Sequence, residues 1–355
     1  MTKQESTKPV AKLADVAKRA GCSVSTASRV LNGNSKVGVA DQERVMAAAR
    51  ELAYIPNQSA RSLRSTKSSL VGAIIPTLDY AIYATMINAM QAELAEKGVS
   101  LIINTSGYDL DIELKQARLL VSRGVDYLVL VGSEHRPETI ELLQQVKVPC
   151  VFTYTINSHS GAASIGFNNE QSGIKAGRFL LQLGHRKMAM IAGRSEGNDR
   201  VKDRIRGYLS ALAEAGIDSS EVTIVESEYT LEGGRNAMRR LLQSQTVPTA
   251  VFCGSDILAA GALKYCKSKG ISVPGDISIV GFDNLEIAEL LEPELTTLEV
   301  PAKDMGSLIA QMITSGATGA EFEVIKELST QLIVRDSTGA VSSHTLNDKV
   351  QPTTQ

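Results

Sequence analysis

The chain has 355 residues, of which 43% are hydrophobic, and it contains no Trp. This composition favours an α/β interior over a β-sandwich. No apolar run is long enough for a secretory signal or a bilayer span, and the four scattered cysteines lack metal-ligand spacing, so we expect a cytoplasmic protein without structural zinc or disulfides. The net charge of −2 conceals an asymmetry: residues 1–67 carry 12 Lys and Arg against 5 Asp and Glu, which favours a polyanionic partner for this basic segment.

Three short helices are predicted near the N-terminus. Apolar residues recur at helical spacing over 13–20, and Gly21 ends that run. Ser23 is the predicted N-cap of a second helix that ends at Asn32, and a third runs over about 40–53. Two helices joined by only a short turn are typical of the helix-turn-helix motif, whose second helix reads DNA.

From residue 70 onward, apolar strand patterns alternate with amphipathic helical segments, which predicts parallel sheets in βα units. Nine strands exceed one comfortable sheet, so we expect two lobes with a crevice between them. The polar tail, residues 337–355, is predicted to be disordered. The predicted strands span residues 70–76, 99–105, 126–132, 149–155, 163–167, 187–193, 222–227, 249–255 and 277–283.

Six motifs in fixed order resemble the lac/gal/purine repressor family. They read LADVAKRAGCSVSTASRVLNG, YIPNQSARSLR, LGHRKMAMIAG, RIRGYLSAL, VPTAVFCGSDILAAGAL and VPGDISIVGFDN. The resemblance runs from about Leu13 to Asp336. It implies a small all-α helix-turn-helix head, a hinge helix, and a two-lobed α/β core similar to periplasmic sugar-binding proteins.

The resemblance also implies domain boundaries. The DNA-binding head is expected over residues 1–56, the hinge helix and linker over 57–67, and the effector-binding core over 70–336. Within the core, the N-lobe is expected over about 70–167 and 298–327, and the C-lobe over about 168–296 and 328–336.

On the second helix, the resemblance assigns the DNA contacts. Val24 and Ser25 occupy the family's base-reading positions, and Arg29 lies one further turn along the same face. Val can contact a thymine methyl, Ser can hydrogen-bond a base edge, and Arg can hold guanine O6 and N7. The remaining DNA-binding positions expected on this helix are Thr26, Ser28 and Asn32, of which the first two are expected to reach phosphates.

The segment NQSARSLR, residues 57–64, is too short to be helical in isolation. In the family, this segment folds on DNA and inserts a Leu into the minor groove, the role that Leu63 matches. Asn57, Ala60 and Arg61 complete the DNA-contacting set expected here, with Ala60 where the paired helices approach closely. The alternative is a linker without DNA contacts.

In the core, the resemblance places a small effector between the lobes at the strand C-termini. Asp283 and Arg204 match the family's effector-clasping pair, and Tyr83 and Tyr229 its aromatic walls. Two further positions depart from the family, since Phe167 stands where Asp is common and Ser255 where Asn is common, so contacts to a neutral polyol are fewer. Asp256 is expected to cap the next helix.

Arg200 lies one turn before Arg204 on a helix that starts near Asn198 or Asp199. Two guanidiniums at a helix N-terminus favour an anionic effector, a sugar acid or phosphosugar, over a neutral sugar or purine. The alternative is that Arg200 is a solvated surface residue and that Asp203 or Asp199 neutralises the pair.

These features favour a DNA-binding transcriptional regulator, expected to repress, that acts as a homodimer on a pseudo-palindromic operator. The tail has one Leu and no heptad, which argues against the tetramers of the lac repressor. A sugar-binding transport protein with the same core is the alternative, which the basic head and the missing signal peptide disfavour. No dinucleotide or Walker loop, metal site or catalytic triad is found, so we expect no enzyme activity and no cofactor. Whether the effector induces or corepresses stays open.

Overall fold

The computed structural model describes residues 11–31, 37–55, 68–156, 162–316 and 324–341. They fall into two compact units, a head within residues 1–68 and a core within residues 69–355. Within these described ranges, no helix is long and apolar enough to cross a bilayer. No group of His, Cys, Asp and Glu among the same residues could hold a metal ion.

The head is a three-helix unit with an apolar centre of its own. Its helices are α1 (Leu13–Ala20), α2 (Val24–Leu31) and α3 (Val39–Glu51). The three helices predicted from the sequence are therefore confirmed. Val16, Ala27 and Val45, one from each helix, are fully buried where the helices meet. This packing fixes which side of α2 faces inward.

The first lobe of the core contains a six-stranded parallel sheet. Its strands are β1 (Leu70–Ile75), β2 (Ser100–Thr105), β3 (Tyr127–Val131), β4 (Cys150–Thr153), β5 (Ala162–Phe167) and β11 (Ile325–Leu328). Their order across the sheet is β2-β1-β3-β4-β5-β11. Its helices are α4 (Ala81–Glu96), α5 (Leu110–Ser122), α6 (Pro137–Val146) and α12 (Ala302–Ser315).

The second lobe repeats this architecture. Its strands are β6 (Met188–Ala192), β7 (Thr223–Glu226), β8 (Ala250–Cys253), β9 (Ser278–Asp283), β10 (Thr296–Glu299) and β12 (Gln331–Ile333). The order is β7-β6-β8-β9-β10-β12, and only the β10–β12 pair is antiparallel. Its helices are α7 (Asn169–Gln182), α8 (Asp199–Glu214), α9 (Leu231–Leu242), α10 (Asp256–Ser268) and α11 (Ile287–Leu290).

The two-lobed α/β core and all nine predicted strands are confirmed. The structure adds β10, β11 and β12, which are short. These strands surround two of the three places where the chain crosses between lobes: after β5, between β10 and α12, and between β11 and β12. Parallel sheets end together at their carboxyl edges, so the crossings bring the carboxyl ends of both sheets to one crevice.

The prediction of a disordered tail from residue 337 is wrong for its first residues. Ser337 is fully buried, and its hydroxyl donates to the Ile279 carbonyl at 2.6 Å and accepts the Thr296 N–H at 2.9 Å. The Val341 N–H donates to the Leu183 carbonyl at 3.0 Å. A small hydroxyl residue fits here because it satisfies buried backbone groups that an apolar side chain would leave unpaired. Residues 342–355 lie outside the described residues.

Candidate functional site

Helix α2 exposes the side that the sequence assigned to DNA. The Ser23 hydroxyl accepts the Thr26 N–H at 3.0 Å, which caps the helix as predicted. Ala27 and Val30 are buried against the other two helices. The side chains of Val24, Ser25 and Arg29 are exposed and those of Thr26 and Ser28 partly buried.

The exposed guanidinium of Arg29 is not committed to a neighbouring carboxylate. Elsewhere in the head, Arg19 pairs with Glu51 at 2.7 Å, and Arg44 pairs with Asp41. Arg29 forms no ion pair with any residue of 11–31 or 37–55. Its five donors therefore stay available for an external acceptor such as a base edge or a phosphate.

Several predicted DNA contacts cannot be placed. Asn32, Asn57, Ala60, Arg61 and Leu63 lie outside the described residues. Their assignments stay predictions.

The crevice between the lobes contains a small, aromatic-walled cavity. Its side chains follow the carboxyl ends of strands in both sheets, where open α/β sheets bind ligands. The cavity measures about 20 Å³, which is room for roughly one water molecule. It is lined by Tyr80, Ile82, Tyr83, Tyr154, Phe167, Asn198, Arg200, Arg204, Tyr229, Phe282 and Asp283.

Tyr80 crosses from the first lobe to the second. Its ring stacks on Tyr229 with centroids 4.9 Å apart and planes 17° apart. Its hydroxyl donates a hydrogen bond to the Asp283 carboxylate. Tyr83 meets the Tyr80 ring edge-on at 5.8 Å, so aromatic rings enclose Tyr80 on two sides.

Asp283 is the last residue of β9, and its backbone conformation is one that residues other than Gly rarely adopt. Its φ is +112°, and its side chain is buried. Burial raises the pKa of Asp283 well above its ordinary value, and the nearby Asp256 adds to the rise, while Tyr80 and Arg204 oppose it. Non-glycine residues held at positive φ cluster at functional sites, because the surrounding structure must stabilise them.

Arg204 lies over the ring of Phe282, with Cζ 4.4 Å from the ring centroid. Its Nη1 donates to Asn169 Oδ1 at 2.5 Å, but its buried Nε has no partner among the described residues. The buried Oδ1 of Asn198 likewise has none in the described part of the chain. A buried polar atom without a partner is costly, so these two atoms mark where a ligand or water can bind.

Close packing of α7 on α8 fixes the position of Arg204. A Cβ on Gly173 would collide with the Arg204 carbonyl, so only glycine permits this approach of the two backbones. The helix that carries Arg204 is therefore held against a rigid neighbour.

Arg200 is buried and committed to partners. Its Nη1 donates to the Val131 carbonyl at 3.1 Å and to Asp199 at 2.8 Å. Asp199 also accepts the N–H and hydroxyl of Ser133 at 2.9 and 2.7 Å. We name Val131, Ser133, Asp199 and Arg200 the interlobe latch, because it joins β3 and its following loop in the first lobe to α8 in the second.

The latch decides between the alternatives for Arg200. Arg200 is only 5% exposed, so it is not a solvated surface residue. Burial would raise the pKa of Asp199, but the Arg200 charge and the Ser133 hydrogen bonds outweigh it and hold the pKa below its ordinary value. Asp199 therefore neutralises Arg200, whereas Asp203 pairs with Arg206 at 2.8 Å. The neutralised Arg200 therefore gives no preference for an anionic effector over a neutral one.

Comparison with known proteins identifies the family. Residues 12–57 match bacterial regulatory proteins of the lacI family, and residues 178–338 match the periplasmic binding protein-like domain. Catabolite control protein A of Priestia megaterium is 31% identical over 300 residues, which cover 84% of this chain and 90% of that protein. The HTH-type transcriptional repressor PurR of Pectobacterium carotovorum is 33% identical over 331 residues, covering 92% and 97%. The chain belongs to the LacI family.

This LacI-family chain is a DNA-binding transcriptional regulator with an effector-binding core. The structure of the lac repressor dimer bound to operator and the anti-inducer ONPF is similar to it, with a TM-score of 0.80 and 26% identity. That similarity covers 94% of this chain and 100% of that one.

Within this LacI-family core, six predicted effector residues line the cavity: Tyr83, Phe167, Arg200, Arg204, Tyr229 and Asp283. Ser255 does not line it. Ser255 caps α10 by accepting the Leu258 N–H at 3.3 Å, and its hydroxyl lies close enough to the Tyr80 phenol to oppose the rise in the pKa of Tyr80. It therefore lies behind Tyr80.

The prediction that Asp256 caps α10 is wrong, because Ser255 does so. The buried Asp256 carboxylate instead accepts the Leu285 N–H at 2.7 Å and the Thr297 hydroxyl at 2.6 Å. These bonds hold the loop that follows β9, and so support Asp283. Asp256 therefore acts on the site by holding the backbone of the loop after β9.

Sequence reasoning missed Tyr80, Tyr154 and Asn198. Tyr80 follows the predicted strand 70–76, and Tyr154 lies at the carboxyl end of the predicted strand 149–155, positions from which a side chain reaches the crevice. Their chain positions could have indicated them. Nothing local in the sequence marks the unpartnered orientation of Asn198.

Proposed function

We propose that this regulator represses transcription by binding a pseudo-palindromic operator as a homodimer, and that a small sugar-type effector between its lobes changes operator affinity. The observation that carries the DNA-binding assignment is the exposed face of α2, on which Arg29 is unpaired among the described residues. The excess of basic residues over 1–67 supports a polyanionic partner.

Some side chains on α2 would contact bases and others would contact phosphates. Val24, Ser25 and Arg29 stand clear of the head's core, so they can reach base edges in the major groove. Thr26 and Ser28 are partly buried and fit phosphate contacts, which position the head but carry no sequence information.

A dimer would supply the two-fold symmetry of such an operator. The similar lac repressor structure is a dimer on its operator. Two copies of α2 related by a two-fold axis match two half-sites about one helical turn apart.

The effector would be a small hydroxyl-rich molecule. Asp283 can accept its hydroxyl donors, the Nε of Arg204 can donate to it, and Tyr229 offers a flat apolar wall. Because Asp199 neutralises Arg200, a neutral sugar fits as well as a sugar acid or a phosphosugar.

The experiment that tests this proposal is selection of operator sequences from random duplex DNA by the purified full chain. A pseudo-palindrome is expected, with affinity falling steeply as salt rises. Operator binding is then measured with a panel of sugars, sugar acids, sugar phosphates and purines. Failure to enrich any sequence, both without ligand and with each of the four ligand classes present, would contradict the DNA-binding assignment, and an enriched operator insensitive to all four classes would contradict the effector class.

The Arg204→Ala variant separates effector binding from DNA binding. It should keep the operator affinity of the free protein but lose the response to the active ligand, because a buried charge-assisted hydrogen bond is worth about 1.5–3 kcal/mol. The matched control is Arg206→Ala on the same helix, where the side chain is 58% exposed. An unchanged ligand response in Arg204→Ala would remove this residue from the site.

A further inference from the structure

We infer that Tyr80 is a tethered occupant of the effector site, so that an effector binds by displacing its phenol ring. The inference rests on the proposed effector cavity and goes beyond it by naming what fills the cavity in this chain. The site then takes a molecule with one flat face and a hydrogen-bond donor at its edge, the chemistry of the ring that it replaces.

The contacts of Tyr80 are those of a bound ligand. The ring stacks on Tyr229 with centroids 4.9 Å apart, a separation at which stacked aromatic pairs are favourable. Its hydroxyl donates to Asp283 and lies close enough to Ser255 for that side chain to affect the pKa of Tyr80. Three residues that the sequence assigns to the effector, Tyr229, Asp283 and Ser255, are therefore engaged by one side chain of the opposite lobe.

The volume of the cavity supports displacement. Ligand pockets commonly measure about 300–1,000 Å³, whereas the cavity beside Tyr80 measures about 20 Å³. A sugar or a purine does not fit next to the Tyr80 ring. Removing the ring joins its volume to the cavity and frees Asp283, which already lines the cavity, from its hydrogen bond with Tyr80.

The local backbone allows Tyr80 to move without unfolding the lobe. Tyr80 precedes the first residue of α4, and its side chain makes no hydrogen bond that caps this helix. The segment before it is exposed, with Leu78 58% accessible. Rotation of this segment would withdraw the ring while β1 and α4 stay in place.

The test is binding of p-cresol, the free counterpart of the tyrosine side chain, measured by calorimetry on the full chain. Tyr80→Ala should bind p-cresol saturably and at least tenfold more tightly than the wild type, because the space vacated by the ring keeps Tyr229 to stack on and Asp283 to accept the hydroxyl. Toluene, which lacks the hydroxyl, should bind Tyr80→Ala about ten- to a hundred-fold more weakly, because it cannot donate to Asp283.

Two control variants define the outcome. Tyr265→Ala removes a tyrosine of α10 outside the cavity and should not gain p-cresol binding. Tyr80→Phe keeps the ring and should exclude p-cresol as the wild type does. If Tyr80→Ala does not fold, Tyr80→Leu is used for the same measurement, because leucine is smaller than tyrosine but leaves a smaller void than alanine.

Equal p-cresol binding by the wild type and Tyr80→Ala, or no gain over Tyr265→Ala, would overturn the inference. Operator selection by the wild type, without ligand and with each ligand of the panel, is read separately, because it does not depend on p-cresol. A chain that selects an operator while Tyr80→Ala ignores p-cresol would keep the proposed function and reject the role of Tyr80.

Discussion

Helix α2 and the interlobe cavity hold their functional side chains in opposite ways. On α2, Val24 is 48% exposed, and Arg29 has no ion pair among the described residues. In the cavity, Arg200, Arg204 and Asp283 are each at most 6% exposed and engaged with protein partners. The first surface is available before any partner arrives, whereas the second must exchange internal contacts for ligand contacts.

This difference determines what a substitution measures. Exposed residues away from caps and ion pairs contribute within about 0.5 kcal/mol to stability, so changes on α2 report binding. Changes in the cavity alter folding, lobe closure and ligand binding together, because buried charges lose partners when one is removed.

The largest effect is expected for Asp199→Ala. It leaves the buried Arg200 guanidinium with the Val131 carbonyl but without a counter-charge, at a cost of about 3–5 kcal/mol in the free energy of unfolding. Asp203→Ala is the control, because its partner Arg206 is 58% exposed and the pair is worth less than about 1 kcal/mol. Urea unfolding of both variants checks the difference, and equal losses would refute the importance of the latch.

The next effect is expected for Gly132→Ala. Gly132 has φ +92°, and an added Cβ would collide with Arg200 Nη1, so strain and displacement of the latch together cost about 3 kcal/mol. Gly98→Ala shares a positive φ of +68° but meets nothing within 4 Å, so it should cost only about 1 kcal/mol. Thermal unfolding compares the two, and a Gly132→Ala loss no larger than that of Gly98→Ala would mean that the latch tolerates the methyl group.

A pH-dependent loss of stability is expected from Asp256. Burial raises its pKa from the ordinary 3.8 to about 7, although the Thr297 hydroxyl and the backbone N–H groups of Leu285 and Phe282 oppose the rise. Between pH 3.8 and about pH 7, Asp256 holds a proton in the folded chain but not in the unfolded chain. The free energy of unfolding therefore falls as pH rises through this range.

The measurement is the free energy of unfolding at pH 5 and at pH 7. The wild type should lose about 2 kcal/mol more over this interval than Asp256→Asn, which cannot bind the proton. Asp283, whose pKa is also raised by burial, lowers the free energy of unfolding as pH rises in both proteins. Identical pH slopes would show that Asp256 is ionised in the folded chain throughout.

The smallest effect on stability is expected for Arg29→Ala. Its unfolding free energy should change by less than about 0.5 kcal/mol, while binding to the selected operator should weaken by about 1–3 kcal/mol with relaxed preference at one base pair. Arg19→Ala, which removes the exposed pair with Glu51, should leave base preference unchanged. An equal loss on operator and random DNA would reassign Arg29 to a phosphate contact.

The parts of the fold that were predictable are those in which local sequence and tertiary packing agree. The nine apolar strand runs are long enough to be recognised, whereas β11 reads IKEL with three exposed residues, and so has no apolar run to detect. In the site, six of the seven predicted effector residues line the cavity, and Ser255 does not. The latch and Tyr80 contacts that cross between the lobes join residues between 66 and 203 positions apart, so they depend on how the lobes close.

The three crossings between lobes have a mechanical consequence. Strand β11 pairs with β5, and β12 pairs with β10, so the crossings leave from neighbouring strands. Adjacent connections restrict the lobes to rotation about their common line, the hinge type of domain motion. They also make the connection redundant, because a protease that cuts any one crossing leaves two covalent strands between the lobes. A core cut at one crossing should therefore keep both lobes together and still close. Only a second cut would leave the lobes joined by a single covalent connection.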